Sequence, residues 1–305
     1  MIKKYKNNFI EWIDVEVPKI EEIKNLMSEY DISSDIACEL QLPTYKEKIV
    51  VDKNYIYLVL HFPTLRHTHK NNTSEQEIDF IIGKNFLITT RYEHIDALEK
   101  FSKIFELNNL LNKDITEENA IYIFYHMIKE IYKSMSDEID SIDDTLKQIE
   151  KDIFKNREKE MVIKISKVNR DLISFNHIIL THRDVLFSLK DTGGKLFGGD
   201  FIENFSKIIN EYYRIEKVLH NNIDFLKEIR ETNDSLLSSK QNEIIKILTV
   251  ITFLSLPFFI ITGFFQMNTI YTPFINNSYS WQIIIFVEII VVSLFFLFAK
   301  WRKWI

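Results

Sequence analysis

Apolar residues change their spacing twice along this chain. Phe9 to Val17 (FIEWIDVEV) alternates loosely between apolar and polar, as a half-buried strand does. After Pro18, Lys19–Tyr30 has the spacing of a short amphipathic helix. Lys48–Asp52, Asn54–Phe62, Glu77–Ile82 and Phe86–Arg91 are β-branched and aromatic runs separated by turn-like segments such as Gly83-Lys84-Asn85, and they predict a small sheet. Strand signals stop after Glu93. Residues 96–190 then read as helical. Asp114-Ile-Thr116-Glu-Glu-Asn119 predicts a helix start with Thr116 as N-cap and Asn119 in the first turn, the helix running to Phe154. A second helix runs from Arg157 to Lys190, and Gly193-Gly194 and Gly198-Gly199 bracket a hinge-like linker. From Asp200 to Leu256 there is neither Gly nor Pro, and the helix is expected to continue toward Gly263. Its first half places Phe205, Ile208, Ile209, Tyr212, Ile215, Val218 and Leu219 near heptad spacing. An isolated helix of this length is unstable in water, so it must pack on other helices, its own or those of other copies.

The last part of the chain is apolar without period. Ile247–Phe265 and Trp281–Ala299 each approach the roughly 20 residues that a bilayer-spanning helix needs. Tyr279, Trp281, Trp301 and Trp304 flank the second as an interfacial belt would. Lys227, Arg230, Lys240 and Lys246 precede the first span, Lys300, Arg302 and Lys303 follow the second, and the intervening loop carries neither Lys nor Arg. The positive-inside rule therefore places both termini in the cytoplasm, with a two-pass topology in the plasma (inner) membrane. The N-terminus shows no secretory signal pattern.

Composition sharpens this reading. Among 305 residues there are only 6 Gly and 5 Pro, which favours long regular elements. The net charge of −6 argues against nucleic acid as a partner. The single cysteine, Cys38, excludes an internal disulfide and any Cys-based zinc site, and reads as a packed, reduced thiol. No nucleotide loop or nucleophile motif occurs, so an enzyme is not expected. The acidic run Asp137, Glu138, Asp140, Asp143, Asp144, Glu150 and Asp152 reads as a solvated helix face paired with Lys147, Lys151 and Lys155. His61, His67 and His69 read as surface histidines. Glu288 is the sole charged residue between Ile247 and Ala299, and is expected to be structural or proton-sensitive, bonded to polar groups of the first span.

The end of the first span reads Gly263-Phe-Phe-Gln-Met-Asn268, preceded by Asn242-Glu-Ile-Ile-Lys-Ile-Leu-Thr249 and Leu256-Pro257. This arrangement resembles the CorA family of magnesium channels, whose signature Gly-Met-Asn closes the first of two C-terminal spans. The order of an α/β domain, a helical hairpin and a very long helix matches as well. The resemblance implies a fold: a cytosolic α+β domain (1–95), a helical hairpin region (96–199), a stalk (200–246), a first span (247–268), an external loop (269–280), a second span (281–299) and a basic tail (300–305). It further implies a homopentamer in the lipid bilayer with five long helices around one pore. Gln266, Met267 and Asn268 would form the ion-selective mouth, and Asn242, Ile245, Leu248, Thr249, Thr252 and Leu256 the pore lining. At about 100° per residue, Asn242, Ile245, Thr249, Thr252 and Leu256 fall within about 80° of one another.

By the resemblance, Mg²⁺ is both the transported and the regulatory ion, with no cofactor. Glu211, Glu216 and Asp224 are candidate regulatory carboxylates on the long helix. The sequence departs from the family signature at Gln266, where the family has glycine. This leaves Co²⁺, Ni²⁺ or Zn²⁺ open as cargo, with a non-conducting membrane scaffold or sensor as the alternative in another class.

Overall fold

In a computed structural model the protein is described over residues 2–7, 10–63, 75–110, 119–267 and 279–302. The elements run β1 (Ile2–Asn7), β2 (Ile10–Glu16), α1 (Ile20–Tyr30), α2 (Ser34–Glu39), β3 (Lys48–Val51), β4 (Tyr55–Pro63), β5 (Glu75–Gly83), β6 (Phe86–Arg91), α3 (Asp96–Leu110), α4 (Ala120–Ile153), α5 (Glu158–Phe197), α6 (Gly199–Gln266) and α7 (Ser280–Trp301). They form two compact units, Met1–Arg230 and Glu231–Ile305, with α6 contributing to both.

The first unit is built on one six-stranded sheet in the order β1-β2-β6-β5-β4-β3. Neighbours are antiparallel except β2 and β6, which pair in parallel with Trp12 opposite Leu87 and Ile13 opposite Ile88. A parallel pair needs a long crossover, and everything from α1 to β5 supplies it. Period-two alternation sorts the side chains. Ile13, Val15, Tyr55, Tyr57, Val59, Ile81 and Ile88 cluster with Ile23 and Leu26 of α1 and Ile36 and Ala37 of α2. Residues of the opposite parity carry aromatic contacts to the helices of the other layer. Trp12 meets Phe101 and Phe105 of α3 edge-on at 5.4 and 5.8 Å, and Phe80 meets Phe124 of α4 at 5.2 Å. Strand β4 is buried at every position, which is why it lacks alternation in the sequence.

Helices α4, α5 and α6 bury residues at alternating steps of three and four. Examples are Ile139, Ile142, Leu146 and Ile149 in α4, Ile165, Val168, Leu172 and Phe175 in α5, and Phe205, Ile208, Tyr212 and Ile215 in α6. This mean period near 3.5 is the seam of coiled-coil packing. Asn222 occupies one seam position and donates from Nδ2 to the Ile139 carbonyl at 3.4 Å.

Several sequence expectations change here. β1 and α2 were not anticipated: β1 is a lysine-rich edge strand, and α2 has only six residues, capped by Ser33. α4 starts at Ala120 with Asn119 as its N-cap, the side chain accepting from the Ile121 N–H at 3.4 Å; Thr116 lies outside the described residues. Gly193 and Gly194 are not a linker but part of α5, which ends only at Gly198 (φ 91°). They are glycines because α6 presses on them. A Cβ on Gly193 would enter the Phe201 ring, and one on Gly194 would lie 2.6 Å from Ile202 Cδ1. Cys38 is exposed, not packed, because Ile36 and Ala37 take the inward side of α2. In the acidic run, Lys147 pairs with Asp143 at 2.5 Å and Lys155 with Asp152 at 3.1 Å, as the spacing predicts, but Glu138 and Asp152 are buried.

His61 is also buried, contrary to the surface reading; His67 and His69 lie outside the described residues. Its Nδ1 lies 3.3 Å from Glu47 Oε1, and its Nε2 lies 2.9 Å from the Thr44 carbonyl and 3.3 Å from Glu77 Oε2. Burial alone would lower the His61 pKa, but hydrogen bonds with Glu47 and Glu77 outweigh it and hold it at about 10. Burial likewise opposes ionisation of Glu47, yet hydrogen bonds from His61 and Thr181 bring it down to about 2. The imidazolium thus ties β4 to β5 and to the segment before β3, and Glu47 carries the link to α5 by accepting from the Thr181 hydroxyl at 2.7 Å. Next to it, fully buried His182 donates from Nε2 to the His61 carbonyl at 2.6 Å and accepts at Nδ1 from the Tyr132 hydroxyl at 2.8 Å. Burial lowers its pKa to about 4, so this ring stays neutral. On β6, across β5 from His61 and at the same end of the sheet, Arg91 Nη2 contacts Asp14 Oδ2 and Glu16 Oε2, each at 3.1 Å, with Arg91 and Asp14 buried.

Two outcomes follow. Arg91→Met strands the buried Asp14 carboxylate and should destabilise the protein by about 3 kcal/mol, since breaking a buried pair costs far more than a surface one; thermal unfolding of the purified full chain followed by circular dichroism reads this. His61 holds its proton more tightly folded than unfolded. Its contribution is therefore complete below pH 6.5 and is lost as pH rises through about 10. The wild type should lose stability over that window, and His61→Gln should flatten the loss.

Candidate functional site

The second unit is a pair of apolar helices, the C-terminal part of α6 and α7. On α6, Val250, Phe253, Leu254, Pro257, Ile261 and Phe265 are at least partly covered. They recur at helical spacing, so they form one side, and that side meets α7. The Phe253 ring lies 5.1 Å from Phe295 and 6.5 Å from Phe298. On α7 the covered set is Ile283, Ile284, Glu288, Val291, Val292, Phe295 and Ala299, again one side. Everything else apolar is open. Only 6% of the most apolar stretch of α6 and 11% of that of α7 is buried, where the core helix of a water-soluble protein would be mostly buried.

The candidate lining residues lie on the uncovered part of α6. Asn242, Ile245, Leu248, Thr249, Thr252 and Leu256 are all exposed. Thr249 Oγ donates to the Ile245 carbonyl at 2.7 Å and Thr252 Oγ to the Leu248 carbonyl at 2.9 Å. Each hydroxyl hydrogen is used within the helix, and each oxygen keeps its acceptor capacity. Ser255 donates to the Ile251 carbonyl at 2.8 Å and Thr262 to the Phe258 carbonyl at 2.5 Å, the backbone bonding that makes hydroxyl residues tolerable in an apolar span.

α6 ends at Gln266, past Pro257, and the Met267 N–H reaches the Phe264 carbonyl at 3.3 Å. Gln266 and Met267 are exposed; Asn268 lies outside the described residues, as do Lys303 and Trp304. Glu288 is buried on α7, and its Oε1 lies 3.1 Å from the Thr262 hydroxyl, the contact with the first span that the sequence suggests. At the chain's end Arg302 lies over the exposed Trp301 ring at 5.7 Å.

The candidate regulatory carboxylates belong to the first unit and do not converge within one chain. Glu211 Oε2 accepts from Arg214 Nε at 2.9 Å, Glu216 Oε1 accepts from the Tyr212 hydroxyl at 3.0 Å, and Asp224 is exposed. A different group, not among the sequence candidates, comes together at His94, Asp96 and Glu99, where His94 Nε2 lies 3.2 Å from Asp96 Oδ1 and 2.9 Å from Glu99 Oε2. Its signal was the His-x-Asp-x-x-Glu spacing at the start of α3. Glu99 is shared with Lys103 at 2.7 Å, so the group is an ion-pair network around the helix start.

The comparisons with known proteins accord with this architecture. Residues 7–300 match the profile of the family described as "CorA-like Mg2+ transporter protein". The chain is 25% identical over 296 residues to the cobalt/magnesium transport protein CorA of Methanocaldococcus jannaschii, spanning 96% of this chain and 91% of that one. It is 23% identical over 260 residues to the cobalt/magnesium transport protein CorA of Thermotoga maritima, spanning 85% and 73%. Among solved structures, the complete CorA magnesium transporter from Methanocaldococcus jannaschii superposes with a TM-score of 0.83 at 22% identity, covering 99% of this chain and 93% of that one. The full-length CmaX protein superposes with a TM-score of 0.73 at 14% identity, covering 96% and 88%. A six-stranded sheet under paired long helices, one helix continuing into an uncovered apolar hairpin, and a match along nearly the whole length place this chain in the CorA-like Mg²⁺ transporter family.

Proposed function

We propose that the protein is a homopentameric channel that passes Mg²⁺ into the cytoplasm along the Asn242–Leu256 stripe of five α6 helices. That it is a two-span membrane protein and a CorA-like transporter of divalent cations follows from its family and its two uncovered apolar helices. The observation that carries the finer reading is the position of the stripe. Thr252 and Leu256 are exposed beside Val250, Phe253, Leu254 and Pro257, which turn toward α7, and Asn242, Ile245 and Thr249 continue the same stripe through Gln241–Thr249, a stretch exposed all round. A bilayer alone would not call for Asn and two Thr on a single uncovered strip, whereas a wet axis shared by several copies would.

Mg²⁺ demands octahedral oxygen ligation and dehydrates reluctantly. A ring of neutral Asn268 amides suits such an ion, because amide oxygens accept hydrogen bonds from its water shell without stripping it. A carboxylate ring would hold the ion more tightly and slow its release. Further in, rings of Leu248 and Leu256 would exclude water when narrowed and so gate the path. The drive is the membrane potential, worth about 4.6 kcal/mol per 100 mV to a doubly charged ion moving inward. Both termini lie in the cytoplasm in this reading. Cytosolic Mg²⁺ would close the path by bridging carboxylates between copies. Asp224, exposed on α6, is better placed for this than Glu211 and Glu216, each already engaged within its own chain.

The oligomer mass in detergent should be five times that of the chain; any other symmetry overturns the pore. In proteoliposomes with an interior Mg²⁺ indicator, the wild type should take up Mg²⁺, and Asn268→Ala should lower uptake by about tenfold or more, as removal of one ring of ion-shell contacts would. Mg²⁺ tightness of the vesicles with wild-type protein would favour a scaffold or sensor instead. Gln266→Gly, compared for Mg²⁺, Co²⁺ and Zn²⁺, reads how far the departure from the family signature sets the choice of ion.

A further inference from the structure

Glu288 has no part in the stripe. At about 100° per residue its partner Thr262 lies about 120° around α6 from Leu256 and about 40° beyond Leu248, the edge of the lining set. Yet a carboxylic acid in an apolar span is costly and calls for a reason. Glu288 is buried, it is the sole acidic residue from Ile247 to Ala299, and its contact with Thr262 is the polar link between α6 and α7 among the described residues of the apolar hairpin.

The position of that link gives it a task. Pro257 has no N–H, so the Phe253 carbonyl loses its partner in the helix ladder and the helix can bend there. On the inner side of Pro257, α6 is held to α7 by the Phe253 contacts with Phe295 and Phe298. On the outer side, residues 258–266 include Gly263, beside which nothing lies within 4 Å of where a Cβ would be. The outer segment can therefore bend at its base, and Ile261 and Phe265 are the residues on it that are partly covered. The Thr262 hydroxyl reaches both the Phe258 carbonyl at 2.5 Å and Glu288 Oε1 at 3.1 Å. Gln266, the last residue of the helix, stands four residues beyond Thr262, about 6 Å along the axis.

We propose that Glu288 is a positioning residue for ion entry: through Thr262 it fixes the tilt of the α6 segment beyond Pro257, and so sets the width of the ring at Gln266, where that helix ends. The proposal rests on the channel reading given above. Glu288 touches no ion in it, and the bond needs only a polar group of this reach at position 288, not a charge.

The test uses the full-length protein in Mg²⁺-free proteoliposomes, with Mg²⁺ and Co²⁺ influx measured over a range of external concentration. Thr262→Val keeps the shape and removes the hydroxyl. It should raise the half-saturating Mg²⁺ concentration about tenfold and change the Co²⁺-to-Mg²⁺ ratio, the scale expected from one lost hydrogen bond. Glu288→Leu should do the same, and the double variant should be no worse than either single one, as for two halves of one contact. Glu288→Gln should restore wild-type influx within about twofold, since its amide can still meet the Thr262 hydroxyl. A merely structural role would lower the amount of intact oligomer without moving the half-saturating concentration or the ion ratio. If Thr262→Val behaves as wild type on both readouts, or Glu288→Gln is as impaired as Glu288→Leu, the proposal is overturned. If Glu288→Leu does not assemble, Thr262→Val and Glu288→Gln decide alone. Wild-type vesicles that admit no Mg²⁺ would instead overturn the channel reading itself, so the two failures are distinguishable.

Discussion

Water sets the central constraint on α6. Up to Ile229 this helix buries an apolar seam against α4 and α5, as any helix of a soluble protein would. From Ile244 onward it shows apolar side chains on nearly every side, and α7 covers only one of them. Such a surface has no stable state in water. It requires lipid on most of its circumference and other helices on the rest, and the segregation of charge along the chain follows from that requirement. The few polar groups in the hairpin obey the same rule. Thr249, Thr252 and Ser255 each give their hydroxyl hydrogen to a carbonyl one turn back, and Thr262 shares its own between the Phe258 carbonyl and Glu288 Oε1.

The first unit answers a different demand. It buries one side of its part of α6 and leaves the rest open. The seam residues of α4, α5 and α6, stepping by three and four, do this along many turns. Two charge clusters lock the same end of the sheet, on either side of β5: Arg91 with buried Asp14 and half-buried Glu16, and His61 between Glu47 and Glu77. Buried ion pairs contribute little net stability but penalise wrong pairings heavily. Here they bind strands to loops and helices that lie far apart in sequence, such as β4 to the segment before β3 and, through Thr181, to α5.

Periodicity revealed most of the fold in advance. Four of the six strands of the sheet and a fifth near the N-terminus were readable, as were both long hairpin helices, the stalk and the two apolar spans. The misses have local causes. β1 is an edge strand whose lysines face water, so it carries no apolar pattern. α2 is too short to show a period. Gly193 and Gly194 read as a hinge because glycine usually breaks helices, but here the missing side chains admit Phe201 and Ile202. Cys38 and His61 were placed on the wrong side of the surface, since a single residue's burial is not a property of its neighbours in sequence.

The sequence by itself determined what depends on composition over a length: where the chain meets lipid, which helix is continuous, and which residues share a stripe at 100° per step. It could do so because helical geometry is local and hydrophobic burial scales with apolar area. Only the tertiary structure decided what depends on partners from remote segments. It left Thr252 and Leu256 open while Phe253 and Pro257 met α7, buried His61 between two carboxylates, and brought Glu288 to Thr262 across the hairpin. Those pairings join residues tens of positions apart, and no local preference encodes which partner closes the contact.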